Sequence, residues 1–393
     1  MSEWRDAPLG EVCELKRGYD LPNASRRNGR VPIISSSGPT GFHDEAKVQA
    51  PGVVTGRYGT LGSVFFVTED FWPLNTSLYV RDFKGNDARY VAELLRTMNL
   101  GQYDGAAAVP GLNRNQLHTV PVRLPDALTQ RAIASVAKAF DDLIENNRRR
   151  VAVLEEMARA VYCEWFVKFR YPGHEDVPLV DSAVGPIPEG WQASTLAAIA
   201  DFTMGQSPKS EFYNDEGIGK PFHQGVADFG RHFPTTRKWC SVEGRSAVTG
   251  DVLISVRAPV GRINVADTDI TIGRGLAAVR AKDGRQGLLL GHLREAFAVE
   301  DSMGNDGAIF KSLGKAEFAS IPVVIPPGDV AESCNKILGE NFGMIRTLSH
   351  STQRLTALRD LLLPKLVTGQ IDVSTLDLDA LVSTGSTTGG VLA

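Results

Sequence analysis

Asp126-Ala-Leu-Thr-Gln-Arg-Ala-Ile-Ala-Ser-Val-Ala-Lys-Ala-Phe-Asp-Asp-Leu-Ile-Glu-Asn-Asn-Arg-Arg-Arg150, running on to Glu164-Trp-Phe-Val-Lys-Phe-Arg170, decides how this chain is read. Apolar side chains fall at Ile133, Val136, Phe140, Leu143, Ile144, Val151, Leu154, Met157, Val161 and Trp165, mostly three, four or seven residues apart. That spacing lines one face of a long helix. No Pro or Gly interrupts residues 126–170, and Pro125-Asp126 supplies a stop and an N-cap. The predicted helix is roughly 60 Å long at about 1.5 Å per residue, too long for the core of a small domain. It has the form of a spacer or of half a coiled coil.

Working outward, the chain repeats itself. Trp4-Arg-Asp-Ala-Pro-Leu9 returns as Trp191-Gln-Ala-Ser-Thr-Leu196, Gly18 as Gly205, Gly52-Val-Val54 as Gly250-Asp-Val-Leu253, and Gly62 as Gly261. Leu112, Val120-Pro121 and Leu124-Pro125 return as Leu313, Ile321-Pro322 and Ile325-Pro326. The offset drifts from 187 to 201, so the second copy carries small insertions. Ile144, Leu154 and Val161 correspond to Ile345, Leu355 and Leu362 on a second helix. The plan is an α/β globule followed by a long helix, twice over.

This divides the chain into a globule (1–125), a central helix (126–170), a linker rich in Pro, Gly and acids (171–190), a second globule (191–327), a C-terminal helix (328–368) and a tail (369–393). The tail's Gly, Ser and Thr content predicts partial disorder. Pro364 is placed to end or kink the second helix. Short β-rich runs are expected at 31–34, 53–55, 63–67 and 77–80 and again near 252–256, 264–265 and 276–279, with helices near 88–97 and 287–297. The fold class is α+β. The stripe that packs helix on helix comprises Ile133, Val136, Phe140, Ile144, Leu154, Val161 and Trp165 on the first helix and Ile337, Ile345, Leu355 and Leu362 on the second. Trp165, Phe166 and Phe169 either anchor the helix end on the second globule or offer a surface to a partner subunit. Glu145-Asn-Asn-Arg-Arg-Arg150 is a solvated or partner-facing run, with a DNA-facing patch as the other reading.

Hydrophobic residues make up 42% and charged residues 22% of the 393, an ordinary globular composition. No apolar run approaches a membrane span, and Met-Ser-Glu-Trp-Arg-Asp at the start is no signal peptide, so a cytoplasmic location is expected. Cys13, Cys163, Cys240 and Cys334 are scattered without zinc-ligand spacing, the pattern of buried reduced thiols. A net charge of −4 gives no global signature for nucleic acid, so DNA binding would need local basic patches or a basic partner.

At four places the chain resembles the specificity subunit of type I restriction-modification systems. Leu124-Pro125 followed by Gln130-Arg-Ala-Ile133 and Asp141-Asp-Leu-Ile144 is similar to the start of that family's central helix. Trp165-Phe-Val-Lys-Phe169, Ile187-Pro-Glu-Gly-Trp191 and Leu363-Pro-Lys-Leu-Val-Thr-Gly-Gln-Ile371 resemble further family signatures, in order along a duplicated chain. The resemblance implies two target-recognition domains joined by two long helices packed as an antiparallel coiled coil with pseudo-two-fold symmetry. It implies a double-stranded DNA target of two unlike half-sites and a fixed gap. Two methyltransferase subunits using S-adenosylmethionine and two motor-nuclease subunits using ATP and Mg would be the partners. The chain itself would need no cofactor and no metal. Two other readings stay open: a coiled-coil scaffold without DNA specificity, and a DNA-modifying enzyme fused to recognition domains.

The catalytic signatures fail on inspection. Gly217-Ile-Gly-Lys-Pro221 breaks the phosphate-loop pattern after its Lys, and neither Asn-Pro-Pro-Tyr nor GxGxxG occurs. Glu14-Leu-Lys16 with Asp6 upstream looks nuclease-like, but its repeat counterpart Asp201-Phe-Thr203 lacks the Lys. No catalytic residue is expected. For DNA contact, the first globule offers Arg26, Arg27 and Arg30 in a loop with no acid between Asp20 and Asp44, Arg57-Tyr58 in a Gly-rich turn, and Asn113-Arg114-Asn115. Amide and guanidinium groups match adenine and guanine edges. The second globule offers Lys209, Arg231 with His232, Arg237-Lys238, Arg257, Arg274, Lys311 and Lys315. Each is otherwise a solvated loop charge.

Overall fold

In the computed structural model, residues 3–103, 111–303 and 313–376 are described, and they form a mixed fold of sheets and helices. Two units emerge, one from residues 1–147 with 351–393, the other from 148–350. Each contains one globule together with part of both long helices. Lys311, a candidate DNA contact, and the tail beyond residue 376 lie outside the described residues.

In the first unit, strands Trp4–Pro8 and Pro121–Pro125 pair antiparallel, Trp4 opposite Pro125, and clasp the globule's two ends together. A four-stranded antiparallel sheet follows in the order Glu14–Arg17, Ser77–Asp82, Gly52–Gly56, Val64–Val67. A second, three-stranded sheet places Val31–Ser35 between Gly38–His43 and Trp72–Pro73, the last pairing parallel. Helix Ala88–Thr97 lies on the four-stranded sheet, capped by Asp87, whose carboxylate accepts from the N–H groups of Arg89 and Tyr90. Its Tyr90, Val91, Leu94 and Leu95 share one core with Val53, Leu78 and Val80.

The first long helix spans Ala127–Tyr162. Asp126 caps it, accepting from the N–H groups of Leu128 (2.9 Å) and Thr129 (3.0 Å), and these bonds hold its carboxyl below the usual range. Gln130 is buried. Its amide donates to Asn86 Oδ1 (2.9 Å) and to the Pro125 carbonyl (3.0 Å), while its Oε1 accepts from the Asp87 N–H (3.0 Å). The glutamine of the helix-start motif therefore bolts the helix to its globule. Ile133, Val136 and Phe140 enter the same core, where they meet Leu363, Leu366 and Val367 of the second long helix, with Leu355 and Leu362 at its edge. Each such side chain contributes about 1.5–3 kcal/mol by leaving water. Ile144 is buried, and Asn147 donates to Ser351 Oγ at 3.2 Å. Asp141 sits between Arg89 (2.7 Å) and Arg359 (3.1 Å). These pairings run the two helices antiparallel within this unit.

The second unit repeats the plan. Gln192–Thr195 clasps Pro322–Ile325, and the main sheet runs Ala200–Met204, Leu276–Ala281, Val252–Ser255, Ile263–Val265, the same connectivity as in the first. Its side sheet has grown to five strands, in the order Tyr213–Asn214, Lys238–Cys240, Lys220–His223, Ile270–Ile272, Ser246–Ala247, which is where the extra residues of the second copy are spent. Helix Gln286–Met303 covers the main sheet through Leu289, Leu290 and Leu293.

The first long helix ends here in a wider five-residue turn, Cys163–Val167, and Phe169 (φ +56°) breaks it in the left-handed region. Phe166 and Phe169 meet the Trp191 ring at 5.3 and 5.6 Å, so the aromatic end anchors on the start of the second globule. Val161 and Trp165 pack at the edge of that cluster. The second long helix, Gly328–Val367, continues one turn past Pro364 instead of stopping there. Val151 packs with Ile345 and Leu348, with Leu154 alongside. Ile337 departs from the expected stripe: it is 36% exposed, and Cys334 and Leu338 occupy the packed positions of that stretch. Met157 likewise faces solvent. All four cysteines are free thiols, and burial pushes those of Cys13 and Cys334 up to about 12. Among the described residues no helix is long and apolar enough to cross a membrane.

Candidate nucleic-acid interface

Three loops at one end of the first sheet are stitched together by their backbones. The N–H groups of Arg57 and Tyr58 donate to the Thr76 carbonyl (2.9 and 3.1 Å), and the Leu112 N–H donates to the Arg57 carbonyl (3.0 Å). This joins Asn75-Thr76, Arg57-Tyr58 and Gly111–Asn115 into one patch. The Arg57 guanidinium lies 4.5 Å over the Tyr58 ring, which orients it without an acid partner. Gly111 is held against Tyr58: a Cβ there would sit 2.3 Å from the ring. Asn113, Arg114 and Asn115 are exposed, but Asn113 uses its carbonyl oxygen to cap helix Arg114–His118, accepting from the Asn115 N–H at 3.0 Å.

The second unit builds the same patch. The Val256 N–H donates to the Gly275 carbonyl (2.9 Å) and the Leu313 N–H to the Val256 carbonyl (3.2 Å), bringing Arg274, Arg257 and Lys315 together. All three are exposed, and the Arg274 backbone is fixed by donation to Ser207 Oγ at 3.2 Å. Among the described residues none of Arg57, Arg114, Arg257, Arg274 or Lys315 forms an ion pair. A solvated cation without a protein partner is free to neutralise a phosphate or to reach a base edge.

The other candidates are distributed differently. Arg27 is taken by Asp44 (2.7 Å) and Glu45 (3.7 Å), and the Asp44 carboxylate holds the guanidinium pKa up. Arg231 pairs with Glu155 of the long helix at 2.5 Å, Arg237 with Asp228 at 3.0 Å, and Lys209 lies 3.8 Å from Glu211. Arg26 is half-buried, while Arg30 and Lys238 are exposed and form no ion pair among the described residues. Arg231 and His232 also line a cleft of about 580 Å³ with Glu155, Arg262 and Arg294, and burial lowers the His232 pKa despite Glu155. The nuclease-like Glu14 is engaged by Arg81, which lowers its pKa, and Lys16 lies 5.5 Å over the Tyr19 ring. Among the described residues no group of three or more His, Cys, Asp or Glu side chains is placed to hold a metal ion.

Sequence reading missed Asn75, because it sits in no basic cluster. Only the hydrogen-bond register shows it opposite Arg274.

Comparison with known proteins agrees with this architecture. Residues 1–156 match the family described as the type I restriction modification DNA specificity domain. A protein described as the type I restriction enzyme MjaX specificity subunit, from Methanocaldococcus jannaschii, is 30% identical over 291 residues, covering 73% of this chain and 68% of that protein. The MjaIX specificity subunit of the same organism is 24% identical over 327 residues, 77% of this chain and 74% of its own. The crystal structure of a type I restriction-modification S subunit from M. genitalium has a similar fold, with a TM-score of 0.68 at 15% identity over 93% of this chain and 96% of that one. A duplicated globule-and-helix plan, the four signatures and these relatives together place the chain in the family of type I restriction-modification specificity subunits.

Proposed function

We propose that this chain selects the DNA sequence on which a type I restriction-modification complex acts, reading an asymmetric bipartite target with one half-site per globule. The observation that carries the reading is the pair of loop patches. They have the same backbone connectivity and cations that pair with no acid among the described residues, but different side chains, as expected for two readers of two unlike short sequences. The paired long helices act in this reading as an antiparallel coiled-coil spacer that fixes the gap between half-sites. Phosphate contacts set register and base-edge contacts choose the site. Two methyltransferase subunits, with S-adenosylmethionine, carry out adenine methylation after base flipping, and two motor-nuclease subunits, with ATP and Mg, cut unmodified DNA. The chain's own contribution is positional.

The test is genome-wide adenine methylation in cells expressing this chain with the methyltransferase subunit of its system, against cells lacking this chain. A split motif with unlike halves and a fixed gap, lost on deletion and altered in one half by exchanging residues 191–327, is the expected result. Methylation that persists without the chain, or a continuous palindrome, refutes the two-reader model.

A further inference from the structure

The two patches can be aligned residue by residue from their hydrogen bonds, without reference to side-chain identity. Gly18 donates to the Ser77 carbonyl (3.0 Å) and Gly205 to that of Leu276 (2.9 Å). Ser77 donates to Leu74 (2.9 Å) and Leu276 to Gly273 (3.0 Å). Arg57 donates to Thr76 and Val256 to Gly275, both at 2.9 Å. The glycines agree as well: a Cβ on Gly18 would lie 2.1 Å from the Leu74 oxygen, and one on Gly205 2.2 Å from the Gly273 oxygen. This register makes Asn75 the counterpart of Arg274, Tyr58 that of Arg257, and Arg114 that of Lys315. In the same register the counterpart of Arg57 is the buried Val256.

A shared frame presents counterpart side chains to DNA in the same way. Chemistry retained in both copies then serves what both half-sites share, the phosphate backbone, and chemistry that differs serves what differs, the bases. Resting on the function proposed above, we infer that Arg114 and Lys315 are the register-setting phosphate contacts, and that Arg274 and the pair Tyr58/Arg257 determine bases of the two half-sites. Asn75, the counterpart of Arg274, donates its amide to the Asp20 carboxylate, which leaves its carbonyl oxygen for a base. Arg257 and Arg274 read guanine, whose O6 and N7 accept a bidentate guanidinium. Arg274 is prepared for this by its fixed backbone, and Arg114 and Lys315 by their place in the first turn of exposed short helices.

The experiment uses the full chain with its methyltransferase subunit and reads methylated adenines across the host genome, which presents every variant of the target. Arg274→Asn is expected to relax one base position in one half-site, with a roughly ten- to hundredfold loss of preference for guanine there, and to leave the other half unchanged. Arg114→Gln and Lys315→Gln are expected to lower methylation at every target with the motif intact, and each to reduce the salt dependence of DNA binding by about one charge. Conservative variants separate the roles further. Lys315→Arg restores what Lys315→Gln loses, whereas Arg274→Lys, lacking the planar fork, does not restore the base preference. An Arg274→Asn chain that loses methylation equally across sequences, or a Lys315→Gln chain with a changed motif, overturns the assignment. Absence of a split motif for the unaltered chain would instead refute the function on which the assignment rests.

Discussion

Acidification should weaken the unit formed by residues 148–350, and His292 should account for most of the loss. Its ring is buried edge-on against the stacked Tyr162 and Phe166 rings, with Nδ1 2.8 Å from the Tyr162 hydroxyl, and burial pushes its pKa from 6.5 down to about 4. In the unfolded chain the ring protonates near its ordinary value, so between the two pKa values the unfolded state binds more protons than the native one. The stability is therefore present above pH 6.5 and is lost as pH falls toward about 4. At about 1.36 kcal/mol per pKa unit the gap corresponds to about 3 kcal/mol, of which about 2 is gone by pH 5. His223 and His232 are lowered by burial too and add to the same trend. Urea unfolding followed by circular dichroism at pH 7 and pH 5 measures the loss. His292→Gln keeps an acceptor for Tyr162 but cannot titrate, and should remove most of the pH dependence. If the variant loses stability as steeply as the native protein, the assignment to His292 is wrong.

Asp141→Asn should cost about 1–2 kcal/mol in the other unit, a value between exposed and buried pairs because the carboxylate is about one-third exposed. A double-mutant cycle with Arg359→Gln should show coupling, and additivity would refute the bridge. Gly205→Ala drives a methyl into the Gly273 carbonyl, 2.2 Å away, and should destabilise by about 1–3 kcal/mol, whereas Gly225→Ala meets nothing within 4 Å and should be near neutral; urea midpoints compare them. Glu93 is buried, which raises its carboxyl pKa against the lowering effect of Arg96. Its contribution is full below the ordinary carboxylate value and lost as pH rises through the raised one, so Glu93→Gln should flatten that decline in a pH series of unfolding midpoints.

What could be read from sequence was what periodicity and duplication encode. The spacing from Ile133 to Val161 marked a helix that the structure bounds at Ala127–Tyr162, and the Trp4/Trp191 and Gly18/Gly205 matches marked two copies whose main sheets share one strand order. The stripe failed at Ile337, because helix spacing tolerates a one-residue shift and Leu338 faces the core instead. Among the basic residues, sequence could not separate paired from free. The acids that engage Arg27 and Arg231 lie 17 and 76 residues away, and only the fold brings them near. Asn113 has the composition of a base reader yet spends its carbonyl as a helix cap, a role visible only once the helix start is placed.

The antiparallel clasps at the base of each globule bear on how such chains change over time. Trp4 lies opposite Pro125, and Gln192 opposite Ile325, so each globule is entered and left at a single point beside the start of a long helix. Crossovers at those two points would exchange a whole globule between genes, provided that the incoming piece kept the apolar face that packs on Ile133, Val136 and Phe140 in the first copy. Growth by insertion is tolerated for the same reason. The second copy's larger side sheet lengthens the path between the clasp strands without moving either end. On the function proposed above, a lineage that recombines there would acquire a new DNA specificity in one step, with no change required in its partner enzymes.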